Sequence, residues 1–382
     1  MQRKRILVVA MLDSSHVAKW LKSTAYQNYE IVLFPSSPHR RLHPDVSRLL
    51  EDPRSQVSLD LMSKYFALPL WLIDQVKGMN IRRTMLSRLY KRIRPDVVHA
   101  IEFQHSAYLA EPIVRHQTTC FYVTNFGSDI YWFIQQRGHR DRIIKVLNRA
   151  DYYSAECSRD VVLAKSLGYR GFVLPVRPNA GGIPQEMFGS GVYCPPSLRR
   201  VIAVKGYTNF VGRAQITLKA LIAKRRDLNS FRVIVYSSTL RARAMVRWIR
   251  FRYRMNIQAI PKFSLSQQQV IQLMQESALY IGVSESDGLS TSMLEALCCG
   301  CFVIQSGTSC CIEVAEHGNG AYILNENSVP AVVTALEFFL QGLGKPWDDA
   351  AESNSNRLRS YLNHQELSEH ARECYRLCLG NG

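Results

Sequence analysis

Short apolar runs alternate with stretches of helical spacing along nearly the whole chain, and that alternation leaves it few folds to choose from. Residues 5–10 (RILVVA), 29–34 (YEIVLF), 96–100 (DVVHA), 119–124 (TCFYVT), 152–155 (YYSA) and 171–175 (GFVLP) read as strands. Helical patterns fall between them over 15–25, where Val17, Trp20 and Leu21 mark one face, and over 106–115. Residues 178–196 then break the rhythm with Gly and Pro and no periodicity, which predicts a connector. After it the alternation restarts: strands over 201–204, 231–236, 256–260, 278–283 and 301–304, with helices over 211–224, 264–276, 292–299 and 331–340. Alternation of this kind makes an α/β, doubly wound parallel sheet. With 382 residues, two such domains are expected rather than one core. The divisions are 1–180, a connector at 181–198, 199–362, and a C-terminal helix at 363–382 that packs back on the first domain. Two open sheets joined by one connector leave a cleft between them.

Composition narrows the function classes. Hydrophobic residues make up 47% of the chain, so disorder is excluded. No apolar run reaches the roughly 18 residues that argue a membrane span. The opening MQRKRILVVA reads as a first strand rather than a signal peptide. Cys298, Cys299, Cys301, Cys310 and Cys311 cluster without the two separated Cys-x2-Cys pairs of a structural zinc site, which predicts small buried thiols in a reduced, cytoplasmic chain. Cys374 and Cys378, one turn apart, mark a buried helix face.

The net charge of +17 calls for an anionic partner: nucleic acid, lipid or substrate. Arginines concentrate over 82–94, 137–149 and 241–254, each on a helix pattern with apolar residues interleaved. Three such helices favour an anionic membrane surface. Nucleic acid is disfavoured, since no recognition-helix, zinc or aromatic RNA-binding motif is present.

Residues 284–300, SESDGLSTSMLEALCCG, carry the chemistry. A hydroxyl-rich turn follows a buried strand and opens a helix, where unpaired N–H groups and the helix dipole favour an anion. Asp287-x7-Glu295, with Gly288-Leu289 after the first acid and Ala296-Leu297 after the second, resembles the Glu-x7-Glu signature of retaining glycosyltransferases of the GT-B fold, family 4. The resemblance runs on through 301–305, Thr308-Ser309-Cys310 and 313–320 (EVAEHGNG). It implies two Rossmann-like domains facing a cleft, with the nucleotide sugar held by the second.

On that resemblance Lys205 and Arg213 are the basic pair that clamps the donor diphosphate, in swapped order: the family usually has Arg at the strand end and Lys at the helix start. Arg offers bidentate contact and Lys a point charge. Glu295 matches the acid that holds the ribose, and Asp287 the one that meets sugar hydroxyls; Asp287 also suits an N-cap. Gly288, Leu289, Ser290, Thr291 and Thr308 complete the expected donor site. In the first domain His16, His99, Asn125 and Ser128 are expected on the acceptor side and Asp129 among the catalytic groups, with Lys205, Arg213 and Asp287. Many relatives carry a His just before the Gly of this stretch; here Phe126 stands before Gly127.

The resemblance implies a retaining hexosyltransferase. The nucleoside diphosphate sugar is a co-substrate, and no cofactor is expected. No Asp-x-Asp follows a strand, so no metal is expected either. The acceptor is a lipid-linked or cell-surface glycan, as in polysaccharide or lipopolysaccharide biosynthesis. The chain then works in the cytoplasm, peripheral on the inner face of the membrane. A sugar-nucleotide epimerase or phosphorylase on the same fold is the rival enzyme, and a basic nucleic-acid-binding protein the rival from another class.

Overall fold

A computed structural model of the chain describes residues 3–37, 41–60, 72–73, 76, 80–178, 181–188, 193–209 and 211–380. Of the expected connector, residues 189–192 lie outside the described residues. The chain divides into two compact units, Met1–Gly182 with His364–Gly382, and Ile183–Asn363.

The first unit is a seven-stranded sheet in the order β3-β2-β1-β4-β5-β6-β7. Its strands are β1 (Lys4–Ala10), β2 (Tyr29–Pro35), β3 (Val57–Leu59), β4 (Val97–Ile101), β5 (Cys120–Asn125), β6 (Tyr152–Ala155) and β7 (Phe172–Val173). All neighbours pair in parallel, as in Ile6 opposite both Ile31 and Val97. Successive side chains of β1 feed opposite faces: Leu7 and Val9 pack with Val98, Phe103 and Phe121, while Ile6, Val8 and Ala10 pack with Trp20, Leu21 and Tyr122. Burial on both faces explains why the strand reads as an unbroken apolar run.

The second of those layers is closed by the last helix, His364–Cys378, whose Ala371, Cys374, Tyr375 and Cys378 are buried in it. The Tyr375 hydroxyl accepts from Trp20 Nε1 at 3.0 Å and pairs with His99 Nδ1 at 2.9 Å. His99 Nε2 meets Thr124 Oγ1 at 2.8 Å, and the ring stacks on Tyr122 with centroids 3.9 Å apart. This corrects one expectation. His99 is the middle residue of β4 and fully buried, so it is a core residue with both nitrogens engaged and does not face an acceptor. Burial holds its pKa well below the ordinary imidazole value, leaving it neutral.

The second unit is a six-stranded parallel sheet in the order β10-β9-β8-β11-β12-β13. Its strands are β8 (Val201–Lys205), β9 (Arg232–Ser238), β10 (Ile257–Pro261), β11 (Ser277–Gly282), β12 (Phe302–Ser306) and β13 (Ala321–Leu324). The helices Ala214–Ala223, Leu240–Tyr253, Gln267–Glu276, Thr291–Cys298, Val329–Gln341 and Lys345–Tyr361 cover it, over a core that includes Ile202, Val235, Ile281, Phe302 and Phe339. The helix expected from residue 211 starts at Ala214, because the residues before it bond to the loop after β11: Arg213 N–H to Val283 O at 2.9 Å and Glu285 N–H to Val211 O at 2.8 Å. Residues 193–199 belong to this unit. Ser197 is held by both oxygens of Asp348, at 3.0 and 2.6 Å, and the Arg199 guanidinium donates to Ser277 O at 2.9 Å. Gly300, at φ 70°, lies under the Tyr193 ring, where a Cβ would come within 2.5 Å.

Each sheet reverses its strand order between its first and fourth strands, β1/β4 and β8/β11. In open α/β sheets the crevice at that reversal is where ligands bind.

Candidate functional site

In the second unit the reversal is lined by charge. Lys205 ends β8 and its Nζ lies 3.2 Å from Asp287 Oδ2 and 3.2 Å from Ser290 Oγ. Burial alone would push this ammonium toward neutrality, but the Asp287 carboxylate outweighs it and lifts the pKa above the ordinary lysine value. Lys205 is therefore charged across the physiological range. Gly206 lets the chain leave the strand, since a Cβ there would come 2.7 Å from Ser238 Cα. Arg213, the N-cap of the Ala214–Ala223 helix, places Nε 2.9 Å from Glu285 Oε1. Two cations from neighbouring segments thus each face a carboxylate of one turn.

That turn is fixed from below. Ser284 N–H donates to Ser306 Oγ at 2.9 Å, and Ser284 O accepts from Asn327 Nδ2 at 2.9 Å and from the Thr308 hydroxyl. Thr308, expected to contact the donor, directs its hydroxyl proton to that carbonyl and so ties the loop after β12 to the loop after β11. Gly288 N–H donates to Asp287 Oδ1 at 3.1 Å, while Gly288 O accepts from Cys310 N–H at 3.1 Å. Leu289 is buried beneath the turn. Ser290 is the N-cap of Thr291–Cys298, yet its side chain makes no capping bond, being turned to Lys205. The first-turn N–H groups at Thr291 therefore carry no side-chain cap, the arrangement that receives phosphate oxygens. Glu295 lies one turn further along, 6% exposed. The structure thus gathers Lys205, Arg213, Asp287, Gly288, Ser290 and Thr291 at the C-terminal ends of β8 and β11. Sequence reasoning did not foresee that Glu285 would partner Arg213.

In the first unit the corresponding strand ends carry buried acids. Asp129, in the short helix Ser128–Tyr131, accepts from Phe126 N–H at 2.9 Å and Phe103 N–H at 3.3 Å through Oδ2. Glu102 follows β4 directly, at φ 85°, and its carboxylate accepts the N–H groups of Gln104, His105 and Ser106 in a π-helical turn. A non-glycine residue at that φ is strained, and π-turns gather at functional sites. Burial lifts the Glu102 carboxyl to about 7 against those three donors. Burial, reinforced by the Glu102 charge, also lifts Asp129 well above the usual carboxylate range. Glu102 was missed from sequence, although an acid immediately after a strand end was the available signal. Asn125 Nδ2 donates to Asp160 Oδ2 at 2.8 Å, Ser128 is half-buried, and His16 packs on Phe126 with ring centroids 5.2 Å apart.

Two family models match the sequence: "Glycosyl transferase 4-like" over residues 5–155 and "Glycosyl transferases group 1" over residues 253–367. No curated protein matches it significantly. Among solved structures, sucrose-phosphate synthase from Thermosynechococcus elongatus is similar with a TM-score of 0.71 at 10% identity, covering 100% of both chains. HepE from Anabaena, solved with UDP and glucose, is similar with a TM-score of 0.70 at 11% identity, covering 98% of this chain and 100% of HepE. A UDP-N-acetylglucosamine 2-epimerase follows with a TM-score of 0.62 at 12% identity, covering 100% of this chain and 98% of the other. At such identities the likeness speaks to the fold, which is GT-B.

Proposed function

Since the chain is a glycosyltransferase of the GT-B fold with a group 1 domain in its second unit, we propose that it is a retaining, metal-independent enzyme. On this reading it moves a sugar from a nucleoside diphosphate sugar to a lipid-linked or cell-surface glycan at the inner face of a membrane. The observation that carries the reading is the pair of cations set against one turn: Lys205 beside Asp287 and Ser290 at the uncapped helix start, and Arg213 beside Glu285 earlier in the same turn. The diphosphate takes the positive charge now shared with Asp287 and Glu285, and the first-turn N–H groups take its oxygens. Asp287 then meets sugar hydroxyls and Glu295 the ribose. HepE has been solved with UDP-glucose as well as with UDP, which supports a nucleotide sugar as donor here.

In the reaction the bond from the anomeric carbon to the leaving phosphate breaks as the acceptor oxygen attacks on the same face. The acceptor proton passes to the departing phosphate, and its charge is held by Lys205 and Arg213. On the acceptor side His16, which packs on Phe126, supplies an imidazole beside the position where relatives carry one, with Asn125, Ser128 and Asp129 around the same strand end.

A release assay for free nucleoside diphosphate, run over a panel of nucleotide sugars with membranes as acceptor source, tests this. Release is expected with one donor, slow with water alone and much faster when acceptor is present, and to be lost in Lys205→Ala and Arg213→Ala. Unchanged turnover in both variants would sink the clamp. Conversion of the donor sugar with no acceptor consumed would make the chain an epimerase.

A further inference from the structure

The helix Leu240–Tyr253 belongs to a stretch of one-signed charge. From residue 228 to residue 275 there is no Asp or Glu, against seven Arg and one Lys, so this stretch supplies eight of the net +17. The helix docks on its sheet through Ala242, Val246 and Ile249, with Met245 and Tyr253 packed beside them. Its opposite face does not become polar. Leu240 is 77% exposed, Trp248 54% and Phe251 87%. At 3.6 residues per turn Leu240, Ala244, Arg247 and Phe251 fall on one line, with Trp248 next to it. Arg241 and Arg252 flank that line on one side, Arg243, Arg250 and Arg254 on the other.

The pattern continues past the helix. Phe263, in the loop after β10, is 85% exposed and held at φ 65° with Lys262 Nζ 4.5 Å from its ring centroid. A bulky aromatic in the left-handed region, turned to solvent, gains no packing within the fold for its strain. The helix start is also tied to the donor loop. Thr239, its N-cap, donates its N–H to Gly206 O at 3.2 Å, and Gly206 follows Lys205.

We propose that Leu240–Tyr253 and Phe263 form a face that lies on an anionic lipid bilayer. Leu240, Trp248, Phe251 and Phe263 enter the boundary between headgroups and acyl chains, while the flanking arginines stay at phosphate level, their stems along the apolar ridge. A nucleic-acid duplex would engage the arginines and leave the apolar ridge without a partner. Among the described residues no helix is long and apolar enough to cross a membrane, so contact of this kind is made by lying on the surface. The face borders the donor loop, which sets a membrane-borne acceptor beside the transfer site. That last consequence rests on the proposed function; the docking itself does not.

The test is sedimentation of the full chain with vesicles of phosphatidylcholine alone and of phosphatidylcholine mixed equally with phosphatidylglycerol. Binding is expected to the mixed vesicles only and to weaken with salt. Phe251→Ser with Phe263→Ser is expected to lower it by at least about tenfold. Each of Arg247→Gln and Arg250→Gln is expected to lower it by about fivefold. Lipids with brominated acyl chains are expected to quench tryptophan fluorescence in the wild type and not in Trp248→Phe. Nucleoside diphosphate release without membranes stays unchanged in all of these variants, which separates loss of docking from loss of fold or donor binding. No binding to the mixed vesicles, equal binding to neutral ones, or binding indifferent to the substitutions overturns the proposal. So does a loss of duplex DNA binding in the same variants with vesicle binding intact.

Discussion

The first six strands of each sheet share one order, yet the groups at their strand ends are opposite in kind. In the second unit the strand ends present Lys205 and Arg213, partly exposed and each facing a carboxylate. In the first they present Glu102 and Asp129, both buried and both biased toward holding a proton. One backbone plan therefore carries a cationic pair in one unit and a pair of proton-holding acids in the other, according to which residues follow the strands. The fold supplies the place and the local sequence supplies the chemistry.

Removing charge from the second unit should break this contrast most strongly. Lys205→Ala is expected to lower kcat/KM by about 100- to 1000-fold, with Lys205→Arg recovering part of it, as read by nucleoside diphosphate release. A smaller effect is expected from the acids. The Glu102 carboxyl ionises near pH 7 in the folded chain against 4.5 in an ordinary setting, so its native-state proton stabilises the fold. That contribution is complete below pH 4.5 and is lost as pH rises through 7. Unfolding free energy from denaturant titrations should therefore fall between those pH values by on the order of 3 kcal/mol, and Glu102→Gln should flatten the slope. Identical slopes in both proteins would mean Glu102 is an ordinary ionised cap.

Asp129→Asn is expected to slow transfer about tenfold while leaving slow donor hydrolysis by water unchanged; equal losses in both reactions would return Asp129 to a purely structural role. The smallest effect is expected from Asp287→Glu, which moves the acceptor oxygens by about one C–C bond and should change donor preference by a few-fold. It should leave Lys205 charged, checked by comparing kcat/KM across donors.

The sheets were legible because strands buried on both faces are apolar throughout, as in Ile6 to Ala10. The turn after β11 was legible because polar residues interrupt that pattern where a strand meets a helix. Other parts hid for physical reasons. The helix Lys345–Tyr361 buries Trp347, Ala351, Asn354, Ser355 and Leu358, a periodic stripe built largely from small and polar residues that a search for apolar spacing passes over. His99 was misread because a histidine near a strand end looks available, whereas here it is the centre of β4, and Tyr375, which engages it, lies 276 positions away. Glu102 was not singled out, because what distinguishes it is the backbone that wraps three N–H groups around it.

The return of His364–Cys378 to the first unit has a consequence for the order in which the chain becomes structured. Ile183–Asn363 is continuous, so its core needs no later part of the chain to close. The first unit, although synthesised earlier, must wait with its Trp20, His99 and Tyr122 pocket open until Tyr375 arrives. The half of the molecule begun first is thus the half that cannot be completed before the last helix exists.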